Sequence, residues 1–137
     1  MKQALAEARQ AAAEGEVPVG AVVVCNERMV AQAHNQTERL NDPTAHAEML
    51  AITAATGALG AKYLTDCTLF VTVEPCAMCA GAIGWAQIST LVLGATDEKR
   101  GYRLFAPQAL HPKTIVKTGI LEEECANEMK LFFQNKR

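Results

Sequence analysis

The chain has 137 residues, 50% of them apolar, and a formal net charge of −2 at pH 7. This size predicts one domain, residues 1–137, with a real hydrophobic core, and the apolar content excludes a disordered chain. No apolar run approaches the ~20 residues of a transmembrane helix, and the start lacks the apolar core of a signal peptide. The five cysteines, an odd number, fit a reducing compartment better than a disulfide framework. We therefore expect a cytoplasmic protein with no membrane partner.

The hydrophobic periodicity predicts helices and strands in alternation, which is typical of an α/β fold. The order predicts one five-stranded mixed sheet with helices on both faces. The first predicted elements are a helix over 1–14 ended by Gly15, and strands over 17–25 and 29–34 joined by a turn at Asn26-Glu27-Arg28. A helix over 45–56, ended by Gly57 and Gly60, a strand over 67–73, a helix over 76–86 and a strand over 88–94 follow. The last predicted elements are a basic segment over 95–112 with a short helix around 104–110, a strand over 113–118 and a helix after Gly119.

Two short motifs carry the chemistry of this chain: His46-Ala47-Glu48 and Pro75-Cys76-Ala77-Met78-Cys79. Zinc prefers nitrogen and sulfur ligands in tetrahedral geometry, and a catalytic zinc site has three protein ligands and leaves the fourth position to water. We predict that His46, Cys76 and Cys79 bind one zinc ion per subunit. Glu48 is the candidate proton carrier. The order and spacing match the signature of zinc nucleobase deaminases.

The local sequence around each motif predicts a helix N-terminus. Thr44 can cap the first helix, and Pro75 suits the first position of the second, which places Cys76 and Cys79 on one face. Both helix dipoles would then favour thiolates at the metal. The small residues that follow, Gly81 and Gly84 among them, would let the two helices approach closely.

The residues alone leave two alternative interpretations of these cysteines: a closed structural zinc site and a redox-active Cys-x-x-Cys pair. A closed site needs a fourth ligand, and no other histidine or cysteine lies near either motif. The nearest, Cys67, begins an apolar strand, and it is expected to be buried, as are Cys25 and Cys125. The presence of Glu48 beside the ligands favours the open, catalytic site.

Over nearly its whole length the chain resembles the cytidine/deoxycytidylate deaminase superfamily, and within it the bacterial tRNA-specific adenosine deaminases. The matching stretches are Glu16 to Val22, Asp42 to Glu48, Glu74 to Ala82, Gly119 to Cys125, and Phe132-Phe133. The resemblance implies a three-layer cytidine-deaminase-like sandwich, a homodimer, and zinc-dependent hydrolysis of adenosine to inosine at the wobble position of a tRNA anticodon. It also implies which residues act: the zinc ligands and Glu48 as above, and Asn35 as a substrate contact. Ala47, Glu74 and Pro75, which lie within or beside the motifs, are further candidate substrate-binding positions.

Two stretches depart from the pattern of the tRNA enzymes. Trp85-Ala86 resembles guanine deaminases of the same superfamily, and Arg100 to Pro107 replaces a loop rich in Gly, Ala and Ser. The alternative substrate is therefore a free base or nucleoside, with guanine, cytosine and cytidine as candidates. A third hypothesis is a non-catalytic, zinc-stabilised binding module.

A run of basic side chains without an intervening acidic residue suggests a surface for RNA phosphates, although a solvated loop face would have the same composition. Trp85 is expected in the core or at a dimer interface rather than as a base-stacking platform. His34 is expected to be structural, and Asn35 could instead hold its own loop. The candidate RNA contacts are Lys99, Arg100, Arg103, Lys113 and Lys117, with Lys136 and Arg137 nearby.

Overall fold

A computed structural model describes residues 1–135, which form one five-stranded sheet between two layers of helices. Lys136 and Arg137, predicted to end the last helix, lie outside the described residues. The helices are α1 (Lys2–Ala13), α2 (Ala47–Leu59), α3 (Ala77–Ala86), α4 (Tyr102–Phe105) and α5 (Glu122–Asn135), and the strands are β1 (Gly20–Cys25), β2 (Arg28–His34), β3 (Cys67–Val73), β4 (Thr90–Ala95) and β5 (Ile115–Lys117).

The strands lie in the order β2-β1-β3-β4-β5. β1 pairs antiparallel with both β2 and β3, whereas β4 pairs parallel with β3 and with β5. One face of the sheet packs on α2 and α3 to form the larger core, and the other packs on α1 and α5. The predicted α/β class with a mixed sheet and helices on both faces is confirmed.

The β1–β2 hairpin forms where the sequence predicted it. Asn26 and Glu27 both have positive φ, 52° and 64°, which is the backbone of the two-residue turns that suit a twisted hairpin. β1 begins three residues later than predicted. The reason is Pro18: the N–H of Val19 donates to the carbonyl of Val17 at 2.9 Å, so this segment turns instead of joining the sheet.

Both metal-motif helices begin later than predicted, and His46 and Cys76 are their N-cap residues. Thr44 does not cap α2, because its N–H and hydroxyl both donate to Asp42 Oδ1, at 2.8 and 2.7 Å. Pro75 lies before α3 rather than at its first position. The two N-cap side chains make no capping hydrogen bond to their own helices, so both remain free for a ligand.

Gly57 does not end α2, since the helix continues to Leu59 and stops at Gly60, whose φ is 61°. The short helix of the basic segment lies at Tyr102–Phe105 instead of around 104–110, because Pro107 cannot continue a helix and constrains the residue before it. Gly84 makes room for the backbone of Ala109 rather than for α2, and Gly81 faces open space. β4 and β5 are shorter than predicted.

Within residues 1–135, no helix combines the length and the apolar character that crossing a bilayer requires.

Candidate active site

His46, Cys76 and Cys79 meet at one end of the sheet, where β3 leads into α3 and the loop 35–46 leads into α2. The Nδ1 atom of His46 lies 3.4 Å from Cys79 Sγ and 3.7 Å from Cys76 Sγ. Zinc bonds of about 2.0 to 2.3 Å in tetrahedral geometry separate such ligand atoms by roughly 3.5 to 3.8 Å. The three side chains therefore fit one zinc ion. Within the described residues, no fourth His, Cys, Asp or Glu joins the group.

The electrostatics of the three side chains suit a cation. Hydrogen bonds from Cys79 and His46 lower the pKa of Cys76 to about 4. The pKa of Cys79 is raised by its hydrogen bond to Cys76 and by burial, and the pKa of His46 is raised by its hydrogen bond to Cys76, although burial opposes this. The lowered pKa of Cys76 favours the thiolate, which is the form that zinc binds. A hydrogen bond to the backbone of Pro43 also holds the imidazole ring, as is usual for metal-binding histidines.

Glu48 lies in the first turn of α2 and is only 4% exposed. Burial raises the pKa of its carboxyl group to about 7, although a hydrogen bond to its own backbone N–H and the nearby His46 oppose the shift. A group with this pKa can both accept and donate a proton at neutral pH, which is what general acid–base catalysis requires.

A cavity of about 410 Å³ opens in front of these side chains, a size typical of ligand sites. The side-chain amide of Asn35 makes no hydrogen bond within residues 1–135, so it does not hold its own loop and is available to a ligand. The backbone N–H of Asn35 fixes its position by donating to Val19. The cavity is lined by Val17, Val19, Asn35, Thr37, His46, Glu48, Val73, Glu74, Cys76, Asp97, Arg100 and Met129.

The other three predicted substrate positions differ among themselves. Ala47 and Pro75 are buried and do not line the cavity. Glu74 lines it, but its carboxylate accepts hydrogen bonds from Arg103 and from the backbone N–H of Asp97. Although burial raises the pKa of Glu74, these bonds hold it below its usual value. Asp97 was missed, although the carboxyl end of β4 is where a ligand-facing residue of a parallel pair is expected.

The fold places the five basic residues predicted to contact RNA in different parts of the molecule. Arg100 lines the cavity, and with Lys99 it lines an adjoining groove of about 820 Å³ beside Met129 and Phe133 of α5. Arg103 is bonded to Glu74. Lys113 lies just before β5, at the end of the sheet opposite to the cavity, since Ile115 pairs with the first residue of β4. Lys117 pairs with Val92, which is in the middle of β4.

Trp85 is 84% exposed, so it does not lie in the core, and of its two expected places the dimer interface stays a prediction. His34 is structural as expected: its two ring nitrogens contact Glu7 and Glu14 at 2.9 and 3.0 Å and join β2 to α1.

The comparison with known proteins agrees with this geometry. Residues 1–95 match the family described as the cytidine and deoxycytidylate deaminase zinc-binding region. The chain belongs to this family. A tRNA-specific adenosine deaminase of Agrobacterium fabrum is 44% identical over 142 residues, which cover 100% of this chain and 93% of that protein. A chloroplastic tRNA(adenine(34)) deaminase of Arabidopsis thaliana is 43% identical over 98% of this chain, which spans only 12% of that longer relative.

Solved structures share the fold. A structure from a study of A-to-I editing by tRNA:A34 deaminases has a TM-score of 0.87 at 44% identity, covering 93% of this chain and 96% of that one. Guanine deaminase from Bacillus subtilis has a TM-score of 0.68 at 42% identity, covering 69% of this chain and 61% of that one. The cytidine-deaminase-like sandwich and the zinc cofactor of the family therefore apply to this chain.

Proposed function

We propose that this protein is a zinc-dependent hydrolase that converts adenosine to inosine at the wobble position of a tRNA anticodon. The observation that carries the proposal is the open three-ligand site of His46, Cys76 and Cys79 with the buried carboxyl of Glu48 beside it in one cavity. The full-length relatives named as tRNA-specific adenosine deaminases support the choice of substrate. A closed site with no catalytic acid would have favoured the non-catalytic binding module.

The chemistry divides between zinc and Glu48. When bound by the three ligands, zinc would activate a water molecule as the nucleophile near neutral pH. Glu48 accepts the proton of this water and passes it to N1 of the purine while the C6–O bond forms. Glu48 then takes the remaining proton from the oxygen on C6 and gives it to the amino group, so that C6=O forms, the C6–N bond breaks and ammonia leaves. The raised pKa of Glu48, about 7, suits both proton transfers.

The remaining residues bind and orient the base. The free amide of Asn35 lies on the cavity wall, where it can hydrogen-bond the edge of the base. Ala47 and Pro75 support the ligands from behind, as buried residues beside His46 and Cys76. The base must leave its stack to enter the cavity, and this costs least in a single-stranded loop. Lys99 and Arg100 line the adjoining groove, and we propose that they bind the flanking phosphates.

A free base or nucleoside is the second candidate substrate. It is supported by the similarity to a guanine deaminase and by Trp85-Ala86, which resembles that group. The deciding experiment measures ammonia release from guanine, cytosine, cytidine and adenosine, and inosine formation in an anticodon stem-loop with adenosine at the wobble position. Turnover of the stem-loop alone supports the proposal. Turnover of a free base with no activity on RNA would replace it with the second candidate.

The protein is further proposed to act as a homodimer in the cytoplasm, where the proposed tRNA substrate is found. Met78 and Trp85 on α3 and Leu104 and Phe105 on α4 are all exposed, and the two helices are in contact. Four large apolar side chains on adjoining helices form the kind of surface that a soluble protein usually covers with a partner.

A further inference from the structure

Glu74 and Arg103 form a clamp between the segment 96–103 and the loop that carries Cys76. Arg103 donates from Nε to Glu74 Oε2 at 3.2 Å and from Nη2 to Glu74 Oε1 at 3.1 Å. The backbone N–H groups of Asp97 and Arg103 donate to the same carboxylate at 3.0 and 3.2 Å. The Glu74 carboxylate thus accepts four hydrogen bonds from one segment, and its residue is only 4% exposed.

Backbone hydrogen bonds reinforce the clamp on both sides. The N–H of Tyr102 donates to the carbonyl of Pro75, and the N–H of Glu74 donates to the carbonyl of Ala95, both at 2.8 Å. Gly101 passes so close that a Cβ there would overlap the Glu74 carboxylate and the carbonyl of Asp97. In this segment, glycine at position 101 permits the close approach and arginine at position 103 completes it.

The clamp also determines the position of the cavity wall. Asp97 and Arg100 line the cavity, and the side chain of Asp97 accepts the backbone N–H groups of Lys99 and Arg100 at 3.0 and 2.9 Å. A shift of the segment 96–103 would therefore move Arg100 and the groove entrance together. It would also loosen the loop before Cys76.

We propose that Arg103, held by Glu74, is a positioning residue that fixes the pocket wall and aims Arg100 at the substrate, and that it is not itself a phosphate contact. The guanidinium group matches a carboxylate with two parallel hydrogen bonds, and the ammonium group of lysine cannot reproduce this fork. A phosphate contact, in contrast, tolerates lysine because it depends mainly on charge. The kinetic test of this inference rests on the proposed function, whereas the hydrogen-exchange test does not depend on that function.

The test compares Arg103→Lys, Arg103→Met, Glu74→Gln and the double variant Glu74→Gln/Arg103→Met with the parent protein. Arg28→Met is the matched control, because Arg28 is an exposed arginine at the other end of the sheet with no ion pair within residues 1–135. The measurements are kcat and KM on the anticodon stem-loop, zinc content, the salt dependence of RNA binding, and amide hydrogen exchange at Asp97, Tyr102 and Arg103. The side chain of Arg103 is 48% exposed, so its variants are expected to fold.

The clamp predicts that Arg103→Lys is as harmful as Arg103→Met. Both should lower kcat/KM by a similar factor, up to the roughly hundredfold cost of a displacement of about 1 Å at a reacting site. Zinc content should stay at the parent value, exchange at the three amides should accelerate, and the salt slope should be the same for Arg103→Lys as for Arg103→Met, because both variants displace Arg100 equally. The double variant should be no worse than Glu74→Gln alone, because the two residues act through one interaction.

Two results would overturn the clamp. One is parent-like turnover of Arg103→Lys together with a reduced salt slope for Arg103→Met, which would make Arg103 a phosphate contact. The other is unchanged exchange at the three amides in every variant. If the parent protein itself does not deaminate RNA, the proposed function fails, and the exchange measurement still decides whether the clamp exists.

Discussion

The proposed chemistry depends most directly on Glu48, whose carboxyl group is buried. Glu48→Ala and Glu48→Gln should each retain one zinc ion per subunit, because neither removes a ligand, and should lose inosine formation by at least a factor of about 10²–10⁴. Metal analysis and a stem-loop assay on the same preparations test both parts. Appreciable inosine formation by either variant would remove Glu48 from the mechanism, and loss of zinc would make its role structural.

His34 illustrates how a single histidine can make stability depend on pH. Burial lowers the pKa of His34, but hydrogen bonds to Glu7 and Glu14 outweigh this and raise it above its ordinary value of 6.5. The added stability is therefore complete below about pH 6.5 and is lost as the pH rises through the higher pKa of the folded protein.

The corresponding variant is His34→Gln. It should reduce the free energy of unfolding more at pH 6 than at pH 8.5, as measured by urea denaturation of variant and parent at both values. Glu7→Gln/Glu14→Gln is the matched control, since it removes the partners and leaves the histidine. An equal loss at both pH values would show that His34 contributes only packing.

At the scale of elements, the sequence predicted the motifs correctly and the helix starts incorrectly. Thr44 is a good capping residue and Pro75 a good first residue of a helix, and these local preferences are what a sequence displays. The structure uses His46 and Cys76 as N-caps instead, because a metal site requires side chains that no capping bond occupies.

The roles of Glu74 and Arg103 lay beyond sequence reasoning for a different reason. Nearly thirty residues separate them, and only the parallel pairing of β3 with β4 brings the two segments together. In the sequence, Arg103 was indistinguishable from the other members of a basic run. The position of Asn35 could be predicted only from the resemblance, since an asparagine after a strand equally suits a local hydrogen bond.

Replacing either of two glycines near the end of α2 by alanine should change the stability of the protein, in opposite directions. Gly57 lies inside the helix, and a Cβ there would meet no atom within 4 Å, so Gly57→Ala should stabilise the protein by about 0.5–1 kcal/mol. Gly60 ends the helix with a φ of 61°, so Gly60→Ala should destabilise it by about 1 kcal/mol or more. Urea unfolding of the pair measures both. The same sign for both variants would contradict this assignment of the helix end.

At the scale of the whole molecule, Trp85 is the most exposed of the large apolar side chains described, and the homodimer proposal depends on it. Trp85→Glu should convert a dimer into a monomer, because a buried charge without a partner is costly at an interface. Sedimentation velocity at micromolar concentration gives the mass. Met29→Glu, at an exposed apolar position on the distant β1–β2 hairpin, is the control and should remain dimeric. A monomeric parent, or a dimeric Trp85→Glu variant, would refute the proposed interface.

The distribution of charge matters more for RNA binding than the net charge of −2, because the fold collects only part of the basic run at the cavity. Lys99→Gln/Arg100→Gln should flatten the dependence of log K on log salt by about 0.7 to 0.9 for each phosphate that the variant no longer neutralises. Zinc content should not change, since neither side chain reaches the metal ligands.

The matched control for that variant is Arg28→Gln/Lys62→Gln, which removes the same charge at the opposite end of the sheet, where Arg28 opens β2 and Lys62 precedes β3. It separates a local interaction from a general effect of charge and should keep the parent slope. If both double variants lower the salt slope equally, the basic groove contributes only non-specific electrostatic attraction to RNA binding. A slope lowered instead by Lys113→Gln/Lys117→Gln would place the RNA along β5, at the edge of the sheet, because Lys113 precedes that strand, Lys117 ends it, and neither lines the cavity.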